Sequence, residues 1–199
     1  MLSAGIAGNY ARGLATLRAR TTVTELGRGV ESTAPNRCRA ALLAVEADAL
    51  LADPGVTEEV FGASSVIVRA RVVEDFARIA GQLEGQLTVT LLYDEEDLPA
   101  VARLLPVLER LAGRLIGNAW PTGVEVADAM VHGGPYPATS DGRSSSVGAL
   151  AVERFLRPVC YQNLDPRLLP PALQDANPWR LPRRMDGVWQ AAPTTEATS

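Results

Sequence analysis

The stretch Ser65-Val-Ile-Val-Arg-Ala-Arg-Val-Val-Glu-Asp-Phe-Ala-Arg-Ile-Ala-Gly-Gln-Leu-Glu-Gly-Gln-Leu-Thr-Val-Thr-Leu-Leu-Tyr93 decides the fold class. Residues 65–71 are largely β-branched and apolar, a composition that suits a pleated, half-buried surface and predicts a strand. Phe76, Ile79, Ala80 and Leu83 follow at helical spacing, with a stop near Gly85, so 73–83 predicts a helix. Residues 86–93 return to β-branched and apolar side chains and predict a second strand. A strand, a helix and a strand in succession form the βαβ unit, because parallel strands need a crossover of about that length. The expected class is α/β with a parallel sheet.

Working outward, residues 1–20 are helix formers with Leu2, Ile6, Leu14 and Leu17 on one face, and 21–36 reads as a connection rich in Gly, Thr, Ser and Glu. Residues 40–46 predict a short buried strand, and Asp53-Pro-Gly55 is a turn signal. Downstream, the acidic run Asp94-Glu-Glu-Asp97 suits a helix N-terminus better than a metal site, and its helix extends to about residue 111. Residues 113–118 predict another strand. Asn118-Ala-Trp-Pro-Thr-Gly123 then lies beyond a strand's carboxyl end, where parallel sheets bind their ligands. Residues 144–156 predict a helix, 157–162 an extended segment, and the Pro-rich remainder with Arg180, Arg183 and Arg184 a poorly ordered tail.

Composition narrows the function. The chain has 199 residues, 47% hydrophobic and 21% charged, enough to bury a real core, and its formal net charge of −4 offers no broad basic face for nucleic acid. The N-terminus lacks the pattern of a signal peptide and no apolar run is long enough for a membrane span, so the expectation is a soluble, cytoplasmic protein. Cys38 and Cys160 have no CxxC or Cys/His ligand spacing and are expected to be buried small residues. Cys38 sits between Arg37 and Arg39, a setting that could favour a thiolate. No phosphate-loop, dinucleotide, hydrolase-elbow or zinc-protease motif is present.

The single histidine lies in Met130-Val-His-Gly-Gly-Pro-Tyr-Pro-Ala-Thr-Ser-Asp-Gly-Arg143. A triad of His132, Ser140 and Asp141 would require residues eight and nine apart in a Pro/Gly-rich loop to converge, so the loop is expected to shape a pocket instead, with His132 structural or a peripheral substrate contact.

Five motifs occur in a fixed order: Glu58-Glu-Val-Phe-Gly62, Glu84-Gly-Gln-Leu-Thr88, Asn118-Ala-Trp-Pro-Thr-Gly-Val-Glu-Val126, the His132 loop, and Phe155-Leu-Arg-Pro-Val-Cys-Tyr-Gln-Asn163. In that order they resemble the aldehyde dehydrogenase superfamily, within it most closely the α-ketoglutaric semialdehyde (2,5-dioxopentanoate) dehydrogenases. The resemblance covers about residues 1–175. It implies part of a Rossmann-like parallel sheet of the catalytic domain over 1–156, an oligomerisation strand within 157–175, and a flexible tail over 176–199. It also implies NAD or NADP as cofactor and a semialdehyde such as 2,5-dioxopentanoate as substrate, oxidised to 2-oxoglutarate. The family chemistry needs a cysteine thiolate, a general base and an oxyanion-stabilising amide together. In the family's register the nucleophile, the base and the cofactor domain precede Met1, and Cys38 lacks the surrounding pattern, so no residue here is expected to be catalytic and none to bind metal.

By the same resemblance Glu59 matches the glutamate that holds the nicotinamide ribose hydroxyls, and Phe61 the aromatic beside the nicotinamide. A carboxylate suits a ribose diol because it accepts from both hydroxyls. Ala63 stands where most of the superfamily has proline. Asn118, Trp120 and Thr122 correspond to the loop lining the aldehyde tunnel, and 157–162 to the strand that pairs with another subunit. The expected partners are an aldehyde substrate and a second copy or a full-length aldehyde dehydrogenase subunit, with no nucleic acid and no membrane. Two functions compete: part of an NAD(P)-dependent aldehyde dehydrogenase that is inactive alone, and a non-catalytic assembly module joining full-length subunits through its C-terminal strand. A third, a small hydrolase built on His132, would need the convergence rejected above.

Overall fold

A computed structural model describes residues 1–31, 33–121 and 123–191, which fall into two compact units, Met1–Arg154 and Phe155–Ser199. The first unit is α/β, in the order α1 (Ala4–Arg18), β1 (Thr24–Arg28), β2 (Ala41–Glu46), α2 (Ala47–Ala52), β3 (Ser64–Arg69), α3 (Glu74–Ala80), β4 (Gln86–Leu91), α4 (Leu98–Leu111) and β5 (Ala112–Gly117). The βαβ reading of 65–93 holds, and its strands are parallel to their neighbours. They lie, however, in two separate sheets. One has the order β1-β2-β3 with β2 and β3 parallel; the other is the parallel pair β4-β5.

Local chemistry explains the elements. Ser3 caps α1 by accepting from the Ile6 N–H at 3.3 Å, satisfying one of the N–H groups a helix start leaves unpaired. Tyr10, Leu14 and Leu17 then fall on one stripe and pack on Ala41 and Leu43 of β2. Tyr10 completes the apolar spacing expected for this helix, whereas Leu2 is 92% exposed and not part of the core. Leu43 is 0% exposed, a burial that contributes about 1.5–3 kcal/mol. A second cluster joins Val45, Leu50 and Val56 to Ile79 of α3, and a third joins Ala80, Leu108 and Leu111 to Val89, Leu91 and Leu115. Neighbouring residues of α3 thus serve both sheets.

Several expectations are corrected. The 21–36 connection contains β1, an antiparallel edge strand with an irregularity between Glu25 and Gly27; its polar residues hid it because its burial pattern is almost wholly exposed. Residues 94–97 form a turn before α4, in which Asp94 accepts from the Glu96 N–H at 3.0 Å and Asp97 accepts from the Asp94 N–H at 3.2 Å. The helix expected over 144–156 is a 3-10 segment, Ala149–Phe155, with no buried residue to anchor a longer α-helix. Cys160 is exposed rather than buried. Among the described residues no helix is long and apolar enough to cross a membrane.

In the second unit, residues 157–162 carry no strand in this chain by itself. Short 3-10 turns, Pro166–Leu168 and Pro171–Leu173, follow, and the stretch expected to be a tail holds a hairpin of β6 (Arg183–Met185) and β7 (Val188–Gln190). Its turn is Asp186-Gly187, both at positive φ, the backbone a two-residue hairpin turn requires. Arg183 braces the hairpin by donating to the carbonyls of Gln174 at 2.8 Å and Asp175 at 3.1 Å.

Candidate functional site

Glu59 and Phe61 project from an extended segment held at both ends. On one side, Asp53 accepts from the Gly55 N–H at 3.2 Å, Arg20 pairs with the same carboxylate, and Thr57 donates to the Pro54 carbonyl at 2.7 Å. On the other side, the Ala63 carbonyl accepts from the Ala41 N–H at 3.0 Å and from the Tyr10 hydroxyl at 3.1 Å. Gly62 lies flat against the Tyr10 ring, where any Cβ would collide with it. Val60 packs on the α1 cluster where Gly13 leaves room, and the side of the segment turned toward β3 and β4 is bordered by Glu59, Val60 and Phe61 alike.

That side is a cleft of about 1050 Å³ walled by 57–63, by β3 and by the start of β4, with Ile79 and Leu83 among its apolar lining. Phe61 is 69% exposed, and among the described residues no hydrogen bond or ion pair engages the Glu59 carboxylate. A carboxylate and an exposed aromatic thus stand two residues apart at the border of the cleft.

Tyr10 is the residue that sequence reasoning missed. Its hydroxyl also donates to the Arg39 carbonyl at 2.7 Å, so one buried side chain ties α1 to the backbone just ahead of β2 and of β3. Burial raises the pKa of the phenol above its ordinary 10.0, Cys38 adds to the rise and Arg28 opposes it. The signal was present as the i+4 position between Ile6 and Leu14.

Asn118 and Trp120 lie elsewhere. Asn118 sits at φ 52°, a left-handed conformation that Asn tolerates, donates its N–H to the Leu91 carbonyl at 2.8 Å and accepts from the Tyr93 N–H through Oδ1 at 2.9 Å. It therefore fastens the carboxyl ends of β4 and β5 together. Trp120 is 75% exposed, and Thr122 lies outside the described residues. The Glu59 cleft meets β4 at Gln86, Thr88 and Val89, so the chain by itself does not bring Asn118 or Trp120 to Glu59 and Phe61.

The His132 loop does converge, more than the spacing suggested. His132, Ser140 and Asp141 line one pocket of about 260 Å³ together with Ser144 and Ser146. Its hydrogen bonds are those of a folded loop: the His132 N–H donates to Ser145 Oγ at 3.0 Å, and the His132 carbonyl accepts from Ser146 Oγ at 3.0 Å. Asp141 accepts from the Arg143 N–H at 3.1 Å, a bond that with Ser144 keeps its carboxyl below the usual range. Among the described residues His132 Nδ1 is buried without a partner, so the carboxylate link that orients the imidazole of a Ser-His-Asp relay is not made. The loop is wedged against the sheet, since Gly134 and Gly113 leave no space for a Cβ between 133–134 and the starts of β4 and β5.

No family model matches the sequence. Curated proteins do, two of them as follows. The chain is 53% identical over 187 residues to α-ketoglutaric semialdehyde dehydrogenase 2 of Azospirillum brasilense, covering 94% of this chain and 36% of that protein. It is 44% identical over 192 residues to the α-ketoglutaric semialdehyde dehydrogenase of Acinetobacter baylyi, again covering 94% and 36%. Among solved structures it superposes on the Δ-pyrroline-5-carboxylate dehydrogenase of Mycobacterium tuberculosis with a TM-score of 0.61 at 18% identity, covering 85% of this chain and 32% of that one. It also superposes on the betaine aldehyde dehydrogenase of Staphylococcus aureus with a TM-score of 0.59 at 15% identity, covering 78% and 29%. These structures share the fold. The chain spans about a third of the length of the relatives it matches. Along 94% of its residues the chain is therefore similar in sequence to part of an aldehyde dehydrogenase, and along 85% it has the fold of one.

Proposed function

We propose that the chain is the C-terminal part of an NAD(P)-dependent aldehyde dehydrogenase that oxidises a semialdehyde such as 2,5-dioxopentanoate to 2-oxoglutarate, and that it does not turn over alone. The observation that carries this reading is its 53% identity to a protein named for that aldehyde. In the complete site the nicotinamide cofactor, when bound, supplies the hydride acceptor. Glu59 would hold the ribose hydroxyls by accepting their hydrogen bonds, and Phe61 would give the nicotinamide an apolar neighbour. Asn118, Trp120 and Thr122 wall the aldehyde's approach. Nicotinamide use is supported by the Mycobacterium tuberculosis relative in the fold, whose structure has also been solved bound with NAD.

The test is NAD(P) reduction with 2,5-dioxopentanoate, by the chain alone and by the chain co-expressed with the rest of an aldehyde dehydrogenase. Turnover by the chain alone would overturn the inactivity. In the co-expressed enzyme Glu59→Gln is expected to raise the KM for NAD(P) about 10-fold or more, the loss of a charge-assisted bond, with a smaller change in the KM for aldehyde. An unchanged cofactor KM would remove Glu59 from the site.

A second reading, an assembly module in the cytoplasm that joins full-length subunits or a second copy, is favoured by residues 155–162. Phe155, Leu156, Val159 and Tyr161 are all exposed there, an apolar run unsuited to water. A stable mixed oligomer on co-purification would support it, and a chain that remains monomeric beside full-length subunits would not.

A further inference from the structure

We propose that the pocket between α1 and the segment 37–39 leading into β2 binds a small phosphate monoester, held by the guanidinium groups of Arg28, Arg37 and Arg39 over a floor of alanines. The site uses none of the residues assigned to cofactor or aldehyde.

The pocket, of about 380 Å³, has an apolar floor and basic walls. The floor is the face of α1 that carries Ala7, Ala11 and Ala15, whose methyl groups recur one turn apart and leave room above the helix for an apolar body. The walls carry Arg18, Arg28, Arg37 and Arg39, and among the described residues no aspartate or glutamate lines the space. These arginines arrive from separate segments. Arg28 ends β1 opposite Ala41, Arg37 closes a turn on the Ala34 carbonyl, and Arg39 leads into β2. Arg39 Nε donates to the Gly29 carbonyl at 2.8 Å, which fixes its guanidinium beside the end of β1. Arg28 acts electrostatically on the Tyr10 phenol, which puts its charge within range of α1. Arg37 also borders the Glu59 cleft, whereas Arg28 and Arg39 line the α1 pocket and not that cleft, so the three meet on the α1 side.

What the pocket lacks is negative charge. Elsewhere in this unit arginines meet carboxylates: Arg20 pairs with Asp53, Arg69 with Glu46 and Arg78 with Asp75. Here Arg18 pairs with Glu25 at 2.8 Å, and among the described residues Arg28, Arg37 and Arg39 make no ion pair. The chain has a net charge of −4, so its acids are not scarce; they are placed elsewhere. Guanidiniums gathered around one space without a carboxylate repel one another, and the same field attracts an anion. Their planar forks match phosphate oxygens two at a time. A dianion offsets three positive charges better than one carboxylate does, and the alanine floor receives the apolar group esterified to it. A phosphate monoester satisfies both layers.

The experiment titrates the full chain with phenyl phosphate and with inorganic phosphate by isothermal calorimetry at low ionic strength. Phenyl phosphate is expected to bind once per chain, about 5-fold or more tighter than inorganic phosphate, because its ring covers the alanines. Arg28→Ala and Arg37→Ala, both at exposed residues, are each expected to weaken it about 10-fold or more, and Arg37→Lys by less, since a point charge replaces a fork. Ala11→Glu, on the exposed face of α1, keeps every arginine but supplies the missing carboxylate, and should weaken binding as much. Circular dichroism checks that each variant folds as the parent does. No binding by the parent, or binding that Arg28→Ala, Arg37→Ala and Ala11→Glu leave unchanged, overturns the proposal. A loss in Phe61→Ala equal to that in Arg28→Ala moves the anion to the Glu59 cleft and overturns it too. Succinate binding as tightly as phenyl phosphate overturns the phosphate assignment. Should the chain be insoluble by itself, the same titrations are made on the enzyme co-expressed with the rest of an aldehyde dehydrogenase, with the same outcomes.

Discussion

Tyr10→Phe isolates one hydroxyl at the base of the Glu59 segment. Tyr10 is 3% exposed, and its O–H lies 2.7 Å from the Arg39 carbonyl and 3.1 Å from that of Ala63. Removing it opens no sizeable cavity, because the ring stays against Gly62. The Ala63 carbonyl keeps the Ala41 N–H, whereas the Arg39 carbonyl loses its bond in a partly buried place. One net hydrogen bond plus part of a desolvation penalty comes to about 1–2 kcal/mol. For a chain of this length that lowers Tm by about 2–8 °C, read by circular dichroism on thermal unfolding. A second signature is alkaline. The folded phenol has its pKa raised above 10.0, so the unfolded chain releases the proton first, and the contribution present below pH 10.0 is lost as pH rises through the folded value. The native chain should therefore lose stability above that pH through this group, and Tyr10→Phe should lack that component. A variant as stable as the parent, or an identical alkaline limb in both, would refute the assignment of Tyr10 as the tie.

Asn118→Ala removes the Oδ1 partner of the Tyr93 N–H and puts a less tolerant residue at φ 52°, at an expected cost of about 1–3 kcal/mol. Asn118→Gly should recover the backbone share only, so Tyr93 exchange should remain fast in both while Tm separates them. Gly134→Ala places a methyl into the Gln86 carbonyl at φ 153°, and should cost about 2 kcal/mol or more, with earlier protease cleavage inside 130–146.

The sequence was most legible where one physical signal dominates. Residues 65–93 show a clean change of period from two to 3.6 and back, and the strand, helix and strand appear there. The buried strand at β2 and the strand at β5 were legible for the same reason. β1 was not, because an exposed edge strand has no apolar alternation to display and its neighbours were Gly and Thr. The 3-10 character of Ala149–Phe155 was also hidden, since helical composition without a burial surface cannot be told from helical composition with one. At the candidate site, Glu59 and Phe61 could be named from motif order. The setting of the segment that carries them depends on Gly13, Tyr10 and Gly62, whose meaning appears only when α1 lies on β2. The His132 loop converged because close backbone approach at Gly113 and Gly134 bends it, which residue separation does not reveal.

The free edge of the first sheet bears on how this chain can aggregate. An open edge is a template that copies itself: each added strand presents a fresh edge, and growth has no end. That edge is β1, five residues long, irregular between Glu25 and Gly27 and carrying the charges of Glu25 and Arg28, a poor surface for such growth. Self-association through it should accordingly stop early, a seam that does not propagate.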